Sequence, residues 1–281
     1  MDKLLIIDGH NLLFQMFFGM PSRIVNSKGK AIQGTLGFVG GLIKIIKMVN
    51  PTHVVVIFDG EKGSIRTEIN DNYKANRVDY TNVSEEDNPF SQLPDIYRAL
   101  EFMNIKYTET DGFETDDVIA SYAIKYNITM QIVVSSYDSD FFQLITNNTV
   151  ILRYRGKQTT IFDIKKFHEN YGISPMYYAD YKSMIGDNAD NIKGIDKIGP
   201  KTATKLINEY GNILSIIKNV NSIEKQSIKN SVYNNIDRIN QNYQLIKLED
   251  KAPLPFSVYE LQFDTNKLSN TTEILKKIGV K

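Results

Sequence analysis

The sequence predicts an α/β fold, a central and mostly parallel sheet covered by helices and followed by a helical region. Three observations predict it. Uninterrupted apolar runs occur at 4–7 (LLII), 54–58 (VVVIF), 132–135 (IVVS) and 150–152 (VIL), as strands buried on both faces require. Helical periodicity lies between them at 36–49, 93–103 and 118–126. From about Ser183 the pattern turns helical with glycine-rich turns. Residues 1–182 are therefore expected to form the sheet domain. Residues 183–281 are expected to pack directly on it, because no internal repeat or low-complexity linker intervenes.

Composition narrows the chemistry. The 281 residues, 42% hydrophobic and 23% charged, suit a globular chain of one large domain or two smaller ones. No apolar run approaches the roughly 18–20 residues of a membrane helix. The apolar start is too short for a signal peptide and is interrupted by Asp8, so a cytoplasmic location is the expectation. With no cysteine, disulfides, thiolate metal sites and cysteine nucleophiles are excluded. Only His10, His53 and His168 offer imidazole, so a metal would be held by oxygen, as Mg²⁺ or Mn²⁺ prefers. Formal net charge is zero, from 33 basic and 33 acidic side chains. By itself that argues against nucleic-acid binding, unless acids and bases are segregated.

The acids are indeed clustered. Asp8 follows the first strand, Asp59 the second, and Asp138 and Asp140 the third. Ligands of open α/β sheets bind at the carboxyl ends of the strands, and these aspartates share that edge. Glu114, Asp116 and Asp117 open a helix, and Asp187 and Asp190 lie in MIGDNADN. Taken singly, each group has an ordinary structural explanation as turn former, helix cap or macrodipole partner. Together, so many converging carboxylates would repel one another unless cations neutralised them. Phosphodiester hydrolysis needs such a centre, since two divalent ions about 3.5–4 Å apart activate water and stabilise the attacking and leaving oxygens.

With those groups in place, the chain resembles a known family. GFETDDVIA, YDSDFFQLI and MIGDNADNIKGIDKIGPKTATKLI are similar to three acidic blocks, the last joined to a helix–three-turn–helix element. IIDGHNLLF, VVVIFDG and IRTEINDNYKANR resemble the remaining blocks in order. The family is that of the 5′ nuclease domain of bacterial DNA polymerase I, phage 5′ nucleases and flap endonucleases. The matches run from Leu5 to about Tyr210, and the tail beyond Asn219 matches only loosely. With no polymerase sequence following, a free-standing enzyme is expected. The resemblance implies a PIN-like nuclease domain with a helical arch at about 72–98. It implies one ion near Asp8, Asp59, Glu114 and Asp116, and a second near Asp117, Asp138, Asp140 and Asp187, with Asp190 further out.

The same resemblance implies DNA contacts. Lys74 and Arg77 would hold the scissile phosphate, with Lys74 stabilising transition-state charge. Tyr73 would stack on a base, and Arg66 is a further candidate phosphate contact. The alternative is an ordinary basic surface with a packed tyrosine. Gly194, Lys197, Gly199, Lys201, Thr202 and Lys205 lie in a turn leading into a helix. There glycines permit close approach, helix-start N–H groups face an anion, and lysines recur at helical spacing. In the family this element grips duplex DNA, and K⁺ at its carbonyls is a possible extension. Setting the nine site acids aside leaves 24 acids against 33 bases, a net basic remainder. Phe14, Phe17 and Phe18 are read as core, with a wedge against a base as the alternative.

Two departures from the family pattern stand out. Gln15 replaces an arginine common in relatives, which weakens one expected phosphate contact. The arch segment 78–92 (VDYTNVSEEDNPFSQ) is acidic, and no Lys or Arg lies between Arg77 and Arg98. It should attract a free 5′ strand poorly. The expected function is therefore a monomeric, structure-selective 5′ nuclease acting on DNA flaps, 5′ ends, nicks or gaps, including RNA-primer ends. An RNA-cutting PIN-type nuclease and a non-catalytic DNA-junction binder are the competing readings.

Overall fold

The computed structural model describes residues 1–60, 65–70 and 72–280. Each apolar run becomes a strand: β1 (Lys3–Asp8), β2 (His53–Phe58), β4 (Gln131–Ser135) and β5 (Thr149–Arg153). They join β3 (Lys106–Glu109) and β6 (Thr160–Phe162) in one six-stranded sheet of order β3-β2-β1-β4-β5-β6, parallel except for β6. In register, Leu5 faces Val54 on one side and Val133 on the other. Strand order reverses beside β1, so a crevice opens beyond the carboxyl ends of β1 and β4.

Alternation within the strands divides the core. Leu4, Ile6, Val55, Ile57, Ile132 and Val134 point to one face. There they meet α5 (Thr115–Tyr126) and the helical region. Leu5, Ile7, Val54, Val56, Phe58 and Val133 point to the other face. That face is covered by α1 (Gly9–Gly19), α2 (Gln33–Val49), α4 (Leu93–Phe102) and α12 (Thr271–Lys277). Burying each such side chain contributes about 1.5–3 kcal/mol, which is why the sheet is a rigid base for what its edge carries. Asp8 caps α1 by accepting the Asn11 N–H, so the last residue of β1 also starts the helix. Gly37 lets α2 approach α1, since a Cβ there would lie 2.8 Å from Met16 Cβ.

The helical region comprises α6 (Ile164–Tyr171), α7 (Tyr178–Ile185), α8 (Pro200–Tyr210), α9 (Ile213–Lys218), α10 (Gln226–Asn234) and α11 (Ile236–Ile246), and the short α3 (Ile65–Ile69) lies against α11. Between α7 and α8 lies a short hairpin whose strands have two residues each, β7 (Gly186–Asp187) with β8 (Ile192–Lys193). The expected division at 182/183 falls inside α7. The chain then returns to the sheet domain, where Gln262 bridges His53 and α12 buries Ile274 and Leu275 against α2 and α4.

Several local expectations differ from the structure. The edge strands β3 and β6 were not anticipated, because KYTE and TIF carry no long apolar run. Of the helical arch expected at about 72–98, residues 72–88 are a succession of turns, and helix begins only at Pro89. Of the three phenylalanines read as core, Phe17 is buried, Phe14 is half-buried and Phe18 is 58% exposed. No helix among the described residues is long and apolar enough to cross a membrane.

Candidate metal centre

The carboxyl ends of β1, β2 and β4 and the start of α5 bring Asp8, Asp59, Asp116 and Asp138 together. Buried Asp8 accepts hydrogen bonds from Ser136 Oγ (2.8 Å) and the Asn11 N–H (3.1 Å). Burial, then the charge of Asp59, pushes its carboxyl up to about 7. Asp116 is raised well above the usual carboxylate range by burial and by Asp138. Asp59, half-exposed at the rim, goes the other way. Burial opposes ionisation, but His10 and the charge of Lys74 outweigh it and hold the carboxyl at about 2. His10 Nδ1 lies 3.2 Å from Asp59 Oδ2. Ser136 Oγ also accepts the Asp138 N–H at 3.0 Å, so one serine orients two of the four aspartates.

A second group adjoins the first. Asp140, Asp187 and Asp190 each offer an oxygen within 4.8 Å of the others. Asp138 Oδ1 accepts the Asp140 N–H at 2.8 Å and so links the two groups. Asp140 is pushed up to about 7, chiefly by burial, although Lys182 opposes the rise. The Lys182 ammonium bonds both Asp140 and Asp187. Asp190, raised mainly by burial, takes the Arg77 guanidinium at 3.1 Å. The donors are carboxylate oxygens, crowded so that several resist ionising, and a hard divalent cation would relieve that repulsion. The donor set therefore fits Mg²⁺ or Mn²⁺.

The base of the arch segment is tied to this centre. The Lys74 N–H donates to the Asp190 carbonyl (3.1 Å), Asn191 Nδ2 to the Asn72 carbonyl (2.8 Å) and Asn76 Nδ2 to the Asn188 carbonyl (2.9 Å). Lys74 Nζ lies 2.9 Å from Glu114 Oε2 and 4.0 Å from Asp116 Oδ2. Burial opposes its charge, but Asp116 and Glu114 hold it protonated. Arg77 is exposed at the rim.

Three expected assignments change, those of Arg66, Asp117 and Tyr73. Arg66 is buried and donates to both oxygens of Asp117, at 2.8 and 2.7 Å, so it does not face DNA. Asp117 also accepts the Glu249 N–H (2.9 Å) and is committed to structure rather than to an ion. Tyr73 is 6% exposed, with its hydroxyl 3.3 Å from Glu114 Oε2, so it is not free to stack on a base. Gly194 is needed for a backbone crossing, since a Cβ there would lie 2.2 Å from the Ile185 carbonyl oxygen. Glu114 receives Arg66 (3.1 Å), Lys74 and Tyr73 on one oxygen, which limits it as an ion ligand. Gln15 donates to the Tyr154 carbonyl, so its amide is engaged. Gly199, Lys197, Lys201 and Lys205 are exposed about the start of α8, and Thr202 is half-buried there. Sequence reasoning missed His10, Ser136 and Lys182. The available signals were a histidine two residues past Asp8 and a lysine five residues before Asp187.

Comparison with known proteins agrees with this architecture. Residues 3–172 match the N-terminal resolvase-like domain of the 5′-3′ exonucleases, and residues 173–269 match their C-terminal SAM fold. A 5′-3′ exonuclease of Aquifex aeolicus is 28% identical over 100% of this chain and 93% of its own length. DNA polymerase I of Rhizobium leguminosarum is 33% identical over 90% of this chain but only 25% of the polymerase. The thermostable DNA polymerase I of Thermus filiformis is 29% identical over 98% of this chain and 32% of its own length. The chain thus spans a third or less of these polymerase relatives. A bacteriophage T5 flap endonuclease, solved as a pseudo-enzyme-product complex with DNA and metal ions, superposes with a TM-score of 0.73. That alignment has 23% identity and covers 98% of this chain and 99% of the other. A T5 5′-exonuclease with bound zinc gives a TM-score of 0.72 at 22% identity, covering 98% of both chains. Both likenesses establish the fold.

Proposed function

The chain belongs to the 5′-3′ exonuclease family, and from that premise we propose that it is a metal-dependent, structure-selective DNA 5′ nuclease. It would trim 5′ ends and remove 5′ flaps by phosphodiester hydrolysis, in the setting of replication and repair. The observation that carries the reading is the convergence of seven aspartates from separate elements beneath Lys74 and Arg77. Asp8, Asp59, Asp116 and Asp138 would hold one ion. Asp138, Asp140 and Asp187, with Asp190 beside them, would hold a second. Divalent ions bound there, Mg²⁺ or Mn²⁺, supply Lewis-acid activation of water and neutralise phosphate charge.

The chain's own groups do the rest. Lys74 and Arg77, anchored by the 188–191 loop, present cations beside the carboxylates where a scissile phosphate must lie. Ser136 fixes Asp8 relative to Asp138. Lys197, Lys201 and Lys205 would track the backbone of a duplex, with the open N-terminus of α8 at Gly199 facing phosphate and K⁺ at the 194–199 turn. The expected partners are DNA flaps, 5′ ends, nicks and gaps, including RNA-primer ends, bound by a monomer in the cytoplasm.

The test is incubation with a 5′-labelled DNA flap, with Mg²⁺ and with chelator. Cutting near the junction that requires the ion supports the reading. Tight binding without cutting under Mg²⁺ or Mn²⁺ would mean a junction binder, and cutting of RNA alone would mean an RNA-directed nuclease.

A further inference from the structure

The tightest acidic cluster among the described residues, Asp140, Asp187 and Asp190, already contains a cation of the chain itself. Lys182 rises from α7 five residues before Asp187, and the chain turns between them at Gly186 with φ 82°. Its ammonium bonds Asp140 Oδ1 and Asp187 Oδ2 and lies 3.4 Å from Ser139 Oγ and 5.9 Å from the centre of the Tyr178 ring. At 4% exposed, the side chain is not a surface lysine resting on its neighbours. An ammonium has three donors and no acceptor, so it satisfies both carboxylates at once, as a cation would. It brings one positive charge to a group of three carboxylates.

We infer that Lys182 is the resident counter-cation of the second ion position. In the DNA-free protein it occupies the oxygens of Asp140 and Asp187, and it must withdraw before a divalent ion can take them. The two cations compete for the same atoms and repel each other at that distance. A phosphate entering beside Arg77 gives the ammonium a new anion to meet. DNA would therefore favour filling of the second position, and by linkage the ion would favour DNA. Lys182 acts here as a positioning residue. The inference rests on the nuclease reading above, but its test does not depend on cutting.

Mn²⁺ binding to the DNA-free protein is measured by calorimetry for the natural chain, Lys182→Met and Lys182→Arg. The natural chain should bind one ion well, at Asp8, Asp59, Asp116 and Asp138, and a second poorly. Lys182→Met should tighten the second ion by about 5–150-fold, the usual range of coupling between sites, and leave the first unchanged. Lys182→Arg, which keeps the charge, should leave the second weak. Equal second-ion affinity in Lys182→Met and the natural chain would overturn the inference while leaving the nuclease reading intact. If Lys182→Met unfolds without metal, recovery of its circular dichroism on adding Mn²⁺ supports the inference, because the ion replaces the ammonium. Failure to recover overturns it. Absence of ion binding in every protein would overturn both this inference and the metal-nuclease reading.

Discussion

Asp116 and Asp117 are adjacent in sequence and have opposite fates. Asp116 faces the other strand-end carboxylates, whereas Asp117 lies one residue further round α5 and meets Arg66 and the Glu249 N–H. The sequence marks both as acids of a helix start, but spacing alone does not tell which carboxylate a cation from 51 residues away will take. Removing Arg66 leaves Asp117 charged, buried and unpaired. Arg66→Ala should therefore destabilise the fold by about 3–5 kcal/mol, measured by urea denaturation, and a cost below about 1 kcal/mol would mean that the pair is dispensable. Lys74 lies on the other side of Glu114, at the carboxylates. Lys74→Ala should lower the single-turnover cutting rate by about 10²–10³ while the protein still binds the flap. Equal rates would remove Lys74 from the chemistry. Lys182 was illegible for the same reason as the true partner of Arg66, since a cation on a helix reads as solvated until its partners are known.

At the scale of elements, the strands that end in aspartate were legible because strands buried on both faces are uninterrupted apolar runs. Edge strands lack that signature, and β3, with both ends exposed, was invisible. The arch segment was legible as a long acidic stretch, but not its conformation. It is held by contacts from elsewhere in the chain. Arg23 pairs with Glu86 and Asp87, and Tyr80 and Phe90 pack edge-to-face on Phe14. Glu86 is thus part of a tether, whereas Glu85 has no partner among the described residues. Glu85→Lys adds a cation without breaking the tether. It should raise flap affinity, most at low salt, in an anisotropy titration across salt concentrations. Unchanged affinity would mean that the arch charge is no barrier. The hairpin β7–β8 depends on its glycines, because a Cβ at Gly186 would lie 2.3 Å from the Gly194 nitrogen.

Across the whole molecule, a net charge of zero conceals segregation. The aspartates gather at one edge of the sheet, and exposed lysines gather about the start of α8. The order of the acidic groups along the chain makes this division readable in the sequence. The return of the C-terminal segment to α2 and α4 was not readable, because the short stretch around α12 offers only Ile274, Leu275, Ile278 and Val280 as apolar residues, among lysines and threonines. If the lysines grip duplex DNA, Lys201→Glu should weaken binding uniformly across sequences and reduce the salt slope by about 1. A variant with unchanged slope would place the duplex elsewhere.

As a nuclease, the protein would cut DNA at a 5′ junction through ions held by its strand-end carboxylates. Asp138 links the two acidic groups, so it is the residue to remove. The decisive measurement is single-turnover cutting of a 5′-labelled flap by the natural chain and by Asp138→Ala, with Mg²⁺ titrated into each. Junction cutting should rise with Mg²⁺ in the natural chain and be lost in the variant, with flap binding retained. Equal cutting by both proteins, or tight binding and no cutting by the natural chain, would contradict it.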